Sequence, residues 1–219
     1  VRTELDAIKP VFMLAEWESR DLHQHAFDMT YAWSLFEKMT AVTKDKKPMG
    51  GLIEYMAHDV NTFPQGGYRM LFTDNHDMNS WNGNMVANFG AGLKASMVLC
   101  GTINGMPLVY GGQEAGLDRS LKFFDKDEIQ WKSFPYTPLF TKLFALKHQN
   151  HALWNGEDGG VMIRIFNDKP EQVISFSREK EGDRVIPIVN YSDKPADVLL
   201  KSTYQKGDYT EWFSGKKIT

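Results

Sequence analysis

The feature that most constrains this chain is an alternation, through its first two thirds, of short continuous apolar runs with longer segments of helical spacing. Val1–Ile8 reads as the end of an amphipathic helix, with Val1, Leu5 and Ile8 on one face, and Pro10 stops it. Val11–Ala15 then has the length of a buried strand, and Phe27–Trp33 is a second, weaker strand candidate. Ile53–Val60 suits a helix ahead of the Pro64-Gln65-Gly66-Gly67 break. Tyr68–Thr73 reads as a strand that runs into Asp74-Asn75-His76-Asp77. Ala91–Ile103 has helical spacing, Gly105 breaks it, and Met106–Tyr110 is a short strand leading to Gly111-Gly112-Gln113-Glu114. Leu139–Gln149 gives one more helix. Such an alternation predicts a parallel α/β sheet with crossover helices. Glu16, Asp77 and Glu114 all fall at or just beyond the C-terminal ends of strands, where folds of this kind place their chemistry.

After residue 152 the texture changes to alternating strands with turn signals: Val161–Phe166, Val173–Ser177, Val185–Asn190 and Ala196–Leu200. This predicts an antiparallel second domain, with units of 1–152 and 153–219 divided in the glycine-bearing Trp154–Gly160 loop. A formal net charge of -3 gives no basic surplus of the kind that neutralising a phosphate backbone requires, so nucleic acid is excluded as a partner. No segment approaches the run of about 18 apolar residues that a membrane-spanning helix needs. Cys100 is the single cysteine, which rules out an internal disulfide and a cysteine-built zinc site. It leaves the compartment open, extracellular or periplasmic being favoured over cytoplasmic.

Three segments carry a resemblance to a known family, and they occur in that family's order. Phe12-Met13-Leu14-Ala15-Glu16-Trp17 looks like a fifth-strand motif in which a glutamate follows a small residue, usually glycine, with Ala15 a mild departure. Phe72-Thr73-Asp74-Asn75-His76-Asp77 matches a seventh-strand motif of Phe, two variable positions, then Asn-His-Asp. Gly105–Glu114 is similar to the eighth-strand signature. The chain thus resembles the α-amylase family of glycoside hydrolases. The resemblance implies the second half, strands 5–8, of a (β/α)8 TIM barrel, followed by a small antiparallel β-sandwich domain. It also implies an Asp nucleophile on a fourth strand and an Asp-Asn-His cluster after a third, neither of which precedes Glu16 here.

By resemblance Glu16 is the general acid/base, a role that requires a pKa raised by burial or a neighbouring carboxylate. Asp77 is the third family carboxylate, which holds sugar hydroxyls, and His76 donates to a hydroxyl of the same sugar. Asn75 is assigned to orientation, and Trp17 and Trp81 to stacking on sugar faces. Each has a plainer reading: a surface Glu at a strand end, a loop His-Asp hydrogen bond, aromatics that are simply core. Glu18 competes with Glu16, since on a strand both would face the same side. Trp33 and Tyr110 could also stack, and Asp28 and Tyr31 lie on the second strand candidate, with packing the commoner role. Gln113 and Glu114 suit support of the barrel's end. The Gly111-Gly112 pair lacks the Lys-Ser/Thr of a nucleotide loop. His23 and His25 with Asp21 and Asp28 form a polar cluster better read as a solvated loop than as metal ligands, so no metal site is expected in this chain; the family resemblance implies that a Ca2+ of the intact enzyme, where there is one, is held by residues of the missing half.

The function expected is therefore part of a retaining α-glycoside hydrolase that cleaves α-1,4-glucosidic bonds in starch, glycogen or maltooligosaccharides. The chain by itself is expected to be inactive and to associate with the missing N-terminal half of the barrel or with itself. The alternative is a non-catalytic carbohydrate-binding or scaffold homologue of the barrel. Hydrolysis and glycosyl transfer are not separated at this level.

Overall fold

A computed structural model describes residues 1–202 and 206–218. Helix α1 (Arg2–Ile8) leads into strand β1 (Leu14–Ala15), and a single turn, α2 (Leu22–His25), into β2 (Met29–Tyr31). Two helices, α3 (Trp33–Thr43) and α4 (Gly50–Thr62), precede β3 (Tyr68–Leu71). Short α5 (His76–Trp81) and α6 (Met85–Phe89) then lead to α7 (Leu93–Thr102), β4 (Met106–Pro107) and, after a long loop, α8 (Thr137–Gln149). The four strands form one parallel sheet in the order β1-β2-β3-β4, as the alternation of apolar runs predicted.

Several elements differ from expectation for identifiable reasons. The expected strands shrink to their paired residues: of Val11–Ala15 only Leu14–Ala15 pairs, opposite Met29 and Thr30. Helix α3 was not among the expected elements, yet Leu35, Phe36, Met39 and Thr43 form its buried face at the i, i+1, i+4, i+8 spacing of a helix. Helix α1 forms where expected, but its stripe of Val1, Leu5 and Ile8 is exposed, with none of the described residues burying it.

The core lies between the sheet and α3, α4 and α7, and is built from Met39, Leu52, Leu71, Phe72 and Leu99, among others. Gly101 lets α7 approach α8: a Cβ there would sit 2.5 Å from Leu143 Cδ2. Phe72 anchors the end of β3, stacked on Phe36 at 5.5 Å and meeting Trp33 edge-on at 5.1 Å.

The tail is antiparallel. Strand β5 (Ile163–Arg164) pairs with β6 (Val173–Lys180), which also pairs with β7 (Asp183–Val185) and β8 (Ile188–Asn190). The expected strand Val185–Asn190 is broken at Ile186-Pro187, because proline has no N–H to give to the ladder. Glu181 and Gly182 close the β6–β7 hairpin with φ of 53° and 88°, the paired positive values of a type I′ turn. Ala196–Leu200 is not a strand but makes one bridge, Leu200 to Asn167. A separate hairpin joins β9 (Tyr209–Thr210) and β10 (Lys217–Ile218).

Arg178 of β6 fastens this sheet to the helices. Its buried guanidinium donates to the carbonyls of Gly160 (2.8 Å), Ile103 (3.0 Å), Thr102 (3.2 Å) and Trp154 (2.8 Å), and among the described residues to no carboxylate. Burial lowers its pKa to about 10. Ile174 and Phe176 of the same strand join the core of α3, α4 and α7.

Candidate active site

The site grows from the ends of β1 and β3, which are not neighbours, since β2 lies between them. Past β1 the chain continues as Glu16-Trp17-Glu18, held to β2 by the Tyr31 N–H on the Trp17 carbonyl (3.1 Å). Past β3, Asn75 starts helix α5: its Oδ1 accepts from the Met78 N–H at 2.8 Å, which places His76 and Asp77 in the first turn. Asn75 itself is fully buried.

His76 Nε2 lies 3.2 Å from Glu16 Oε1 and 3.6 Å from Asp77 Oδ1. One donor atom from each of the three falls within 4.8 Å of the others. Metal ligands also meet at such spacing, but two carboxylates flanking an imidazole at an open surface are common without an ion. Tyr31 sits beneath the group; burial and the charges of Glu16 and Asp77 push its phenol above the usual range. Trp17 and Trp81 are exposed beside these residues.

Glu18 is placed quite differently. Its Oε2 accepts from Ser34 N and Ser34 Oγ, both at 2.8 Å, and its Oε1 accepts from the buried guanidinium of Arg69. Arg69 also donates to the Tyr31 carbonyl (2.7 Å) and Asp59 Oδ1 (3.2 Å), so Glu18 belongs to an internal ion-pair network. The chain leaves β-pairing at Ala15, so strand alternation no longer dictates where residues 16 and 18 point.

Several other residues singled out in the sequence have partners away from this group. Trp33, partly buried, stacks on Tyr31 at 5.0 Å against the core. Asp28 accepts from Arg2 (2.8 Å) and the Met13 N–H (2.7 Å) at the far end of β2, and His23 Nε2 meets Thr30 Oγ1 at 2.9 Å, so these do not gather into a ligand set. Gln113 ties the loop after β4 to β3 through Thr73 Oγ1 (2.8 Å) and accepts from the Tyr110 N–H (2.7 Å).

Two features escaped sequence reasoning. Asp74 is buried beneath the His76 turn, accepting from Asn79 Nδ2 (3.0 Å) and the Asn75 N–H (3.1 Å), and burial pushes its pKa up to about 6 despite those donors. The ring of Phe123 comes 6.2 Å from that of His76. Two adjacent phenylalanines amid charged residues were the available signal for the second.

Alpha-amylase 2 of Dictyoglomus thermophilum is 26% identical over 164 residues, which is 69% of this chain and 26% of that protein. Alpha-amylase MalA of Haloarcula japonica is 25% identical over 189 residues, 82% of this chain and 26% of that protein. The crystal structure of a noncanonic maltogenic alpha-amylase, AmyB from Thermotoga neapolitana, superposes with a TM-score of 0.83 over 99% of this chain and 51% of its own, at 22% identity. This chain is a relative of the α-amylases. No family profile matches it. It spans about a quarter of the length of the curated α-amylases and about half of the solved one.

Proposed function

We propose that this chain carries the proton-donating part of a retaining α-glucan hydrolase that cleaves α-1,4-glucosidic bonds in starch, glycogen or maltooligosaccharides. The observation that carries the reading is the meeting of Glu16 with His76 and Asp77 across two non-adjacent strand ends. A retaining glycosidase protonates the leaving oxygen with one carboxylic acid while a second carboxylate, about 5–5.5 Å away, attacks the anomeric carbon. Glu16 is the acid, and after departure of the leaving group it takes a proton from the incoming water. Asp77 and His76 hold the hydroxyls of the reacting sugar, Asn75 orients them, and Trp17 and Trp81 stack on sugar rings. The binding of Glu18 by Arg69 and Ser34 favours Glu16 over its neighbour for the acid role.

In this reading the parallel sheet is strands five to eight of a (β/α)8 barrel, and the tail is the small β-sandwich domain that follows it. The attacking Asp comes from a fourth strand outside these residues, as does any Ca2+ site of the intact enzyme. Strands β1 and β4 each pair on one side only among the described residues, and α1 exposes an apolar stripe. Such edges recruit partners, so the chain associates with the complementary half-barrel or with a second copy.

Reducing-sugar release from soluble starch tests the reading. The purified chain releases none, and the chain joined to an α-amylase N-terminal half releases it in a Glu16-dependent way. Activity of the chain alone, or activity of the joined enzyme that survives Glu16→Gln, overturns the proposal. Size-exclusion chromatography showing a stable monomer with cooperative unfolding overturns the association.

A further inference from the structure

Helix α4 carries two apolar faces. Leu52 and Met56 are buried in the core, while Ile53, Ala57 and Val60, at the i, i+4, i+7 spacing of one helix face, join Met56 in lining a cavity of about 310 Å³ between α4 and the antiparallel sheet. Met162, just ahead of β5, and Ile174 and Phe176 of β6 line it from the sheet side. Apolar walls around a space of ligand size are the usual make-up of a small-molecule site.

The polar side chains of the lining are mostly spoken for. Asn167 donates to the Val173 carbonyl (3.1 Å) and to Ser175 Oγ (2.8 Å) and accepts from the Lys169 N–H (2.8 Å), and Ser175 donates to the Ile165 carbonyl (2.8 Å). Asn61 donates back to its own helix at the Ala57 carbonyl (2.7 Å). Arg164 of β5 differs from them. It is the one charged residue of the lining, and its guanidinium lies 4.7 Å from the centre of the Phe166 ring, with no carboxylate at ion-pair distance among the described residues. An apolar cavity with a single cation and no counter-ion selects an apolar body that ends in one negative charge. A sugar suits it poorly, because most of its hydroxyls would be buried there without partners.

At roughly 30 Å³ for each water-sized group, the space admits about ten heavy atoms, the size of octanoate. We propose that this cavity binds a medium-chain alkyl carboxylate, a free fatty acid with its chain between α4 and β6 and its carboxylate on Arg164. The site is separate from Glu16, His76 and Asp77 and does not rest on the glucan reading. A ligand seated there touches both α4 and the sheet, and by binding only the folded chain it raises the melting temperature.

Calorimetric titration of the 219-residue chain with octanoate, with octanol as the uncharged control, tests the site. One octanoate binds per chain with a negative heat-capacity change, about tenfold more tightly than octanol. Arg164→Gln abolishes that preference, and Ala57→Phe, which fills the cavity, weakens both ligands by about tenfold or more. Ala57 and Arg164 are both exposed, so the melting temperatures of the ligand-free variants stay near the wild-type value. No octanoate binding by the wild-type chain overturns the proposal. So does a Kd that Ala57→Phe leaves unchanged, since the ligand then sits on other apolar surface such as the stripe of α1. A preference for octanoate over octanol that survives Arg164→Gln, or displacement of octanoate by maltoheptaose, likewise overturns it. If Ala57→Phe does not fold, the Arg164→Gln comparison decides alone: preference lost supports the site, and preference kept removes it.

Discussion

Glu16 and Glu18 stand two residues apart and have opposite surroundings: Glu16 reaches into solvent, 3.2 Å from His76, whereas Glu18 is held by Arg69 and Ser34 inside the protein. The separation of an exposed from an internally paired carboxylate at one strand end makes them distinguishable by experiment.

Glu16→Gln keeps size and hydrogen bonding but removes the transferable proton. In the joined enzyme it lowers kcat by about 10²–10⁴-fold with little change in stability. Glu18→Gln leaves the buried Arg69 with Asp59 as its remaining carboxylate and lowers stability by on the order of 3 kcal/mol. Starch kinetics paired with urea unfolding of both variants check this. A stable, inactive Glu18→Gln beside an active Glu16→Gln would reverse the assignment.

Asp74 makes stability depend on pH. Burial raises its folded pKa to about 6 from 3.8, so the folded state holds this proton more tightly than the unfolded chain does. Its contribution is complete below about pH 4 and is lost as pH rises through about 6, on the order of 2–3 kcal/mol in all. Unfolding free energies between pH 4 and 7 for wild type and Asp74→Asn isolate the effect, since other carboxylates are common to both. The wild type falls relative to the variant as pH rises, and parallel curves would refute the claim.

Arg178 joins the antiparallel sheet to the helices through four carbonyls. Arg178→Met fills the space but leaves those acceptors without their donor, which costs about 3 kcal/mol. Arg178→Lys recovers only part, because one ammonium cannot match a planar fork of donors. Urea midpoints should fall in the order wild type, Lys, Met. A Met variant as stable as the wild type would show that water replaces the guanidinium.

What the sequence by itself determined is the local order: short apolar runs that pair in parallel, helices between them, and the Glu181-Gly182 turn that closes a hairpin. These depend on residues within one or two turns of each other, and hydrophobic period and turn chemistry report on that range. Helix α3 is one local exception, beside the short α2, α5 and α6, because its Phe27–Trp33 approach reads as strand until Leu35, Phe36 and Met39 are seen to share a buried face. Tertiary structure alone decided which residues meet: Glu16 with His76 across β2, Glu18 with Arg69, Phe123 with His76, and Arg178 with the carbonyls of Thr102 and Ile103. Each pair is set by the packing of elements far apart in the chain, and no periodicity in the sequence encodes a distance of that kind.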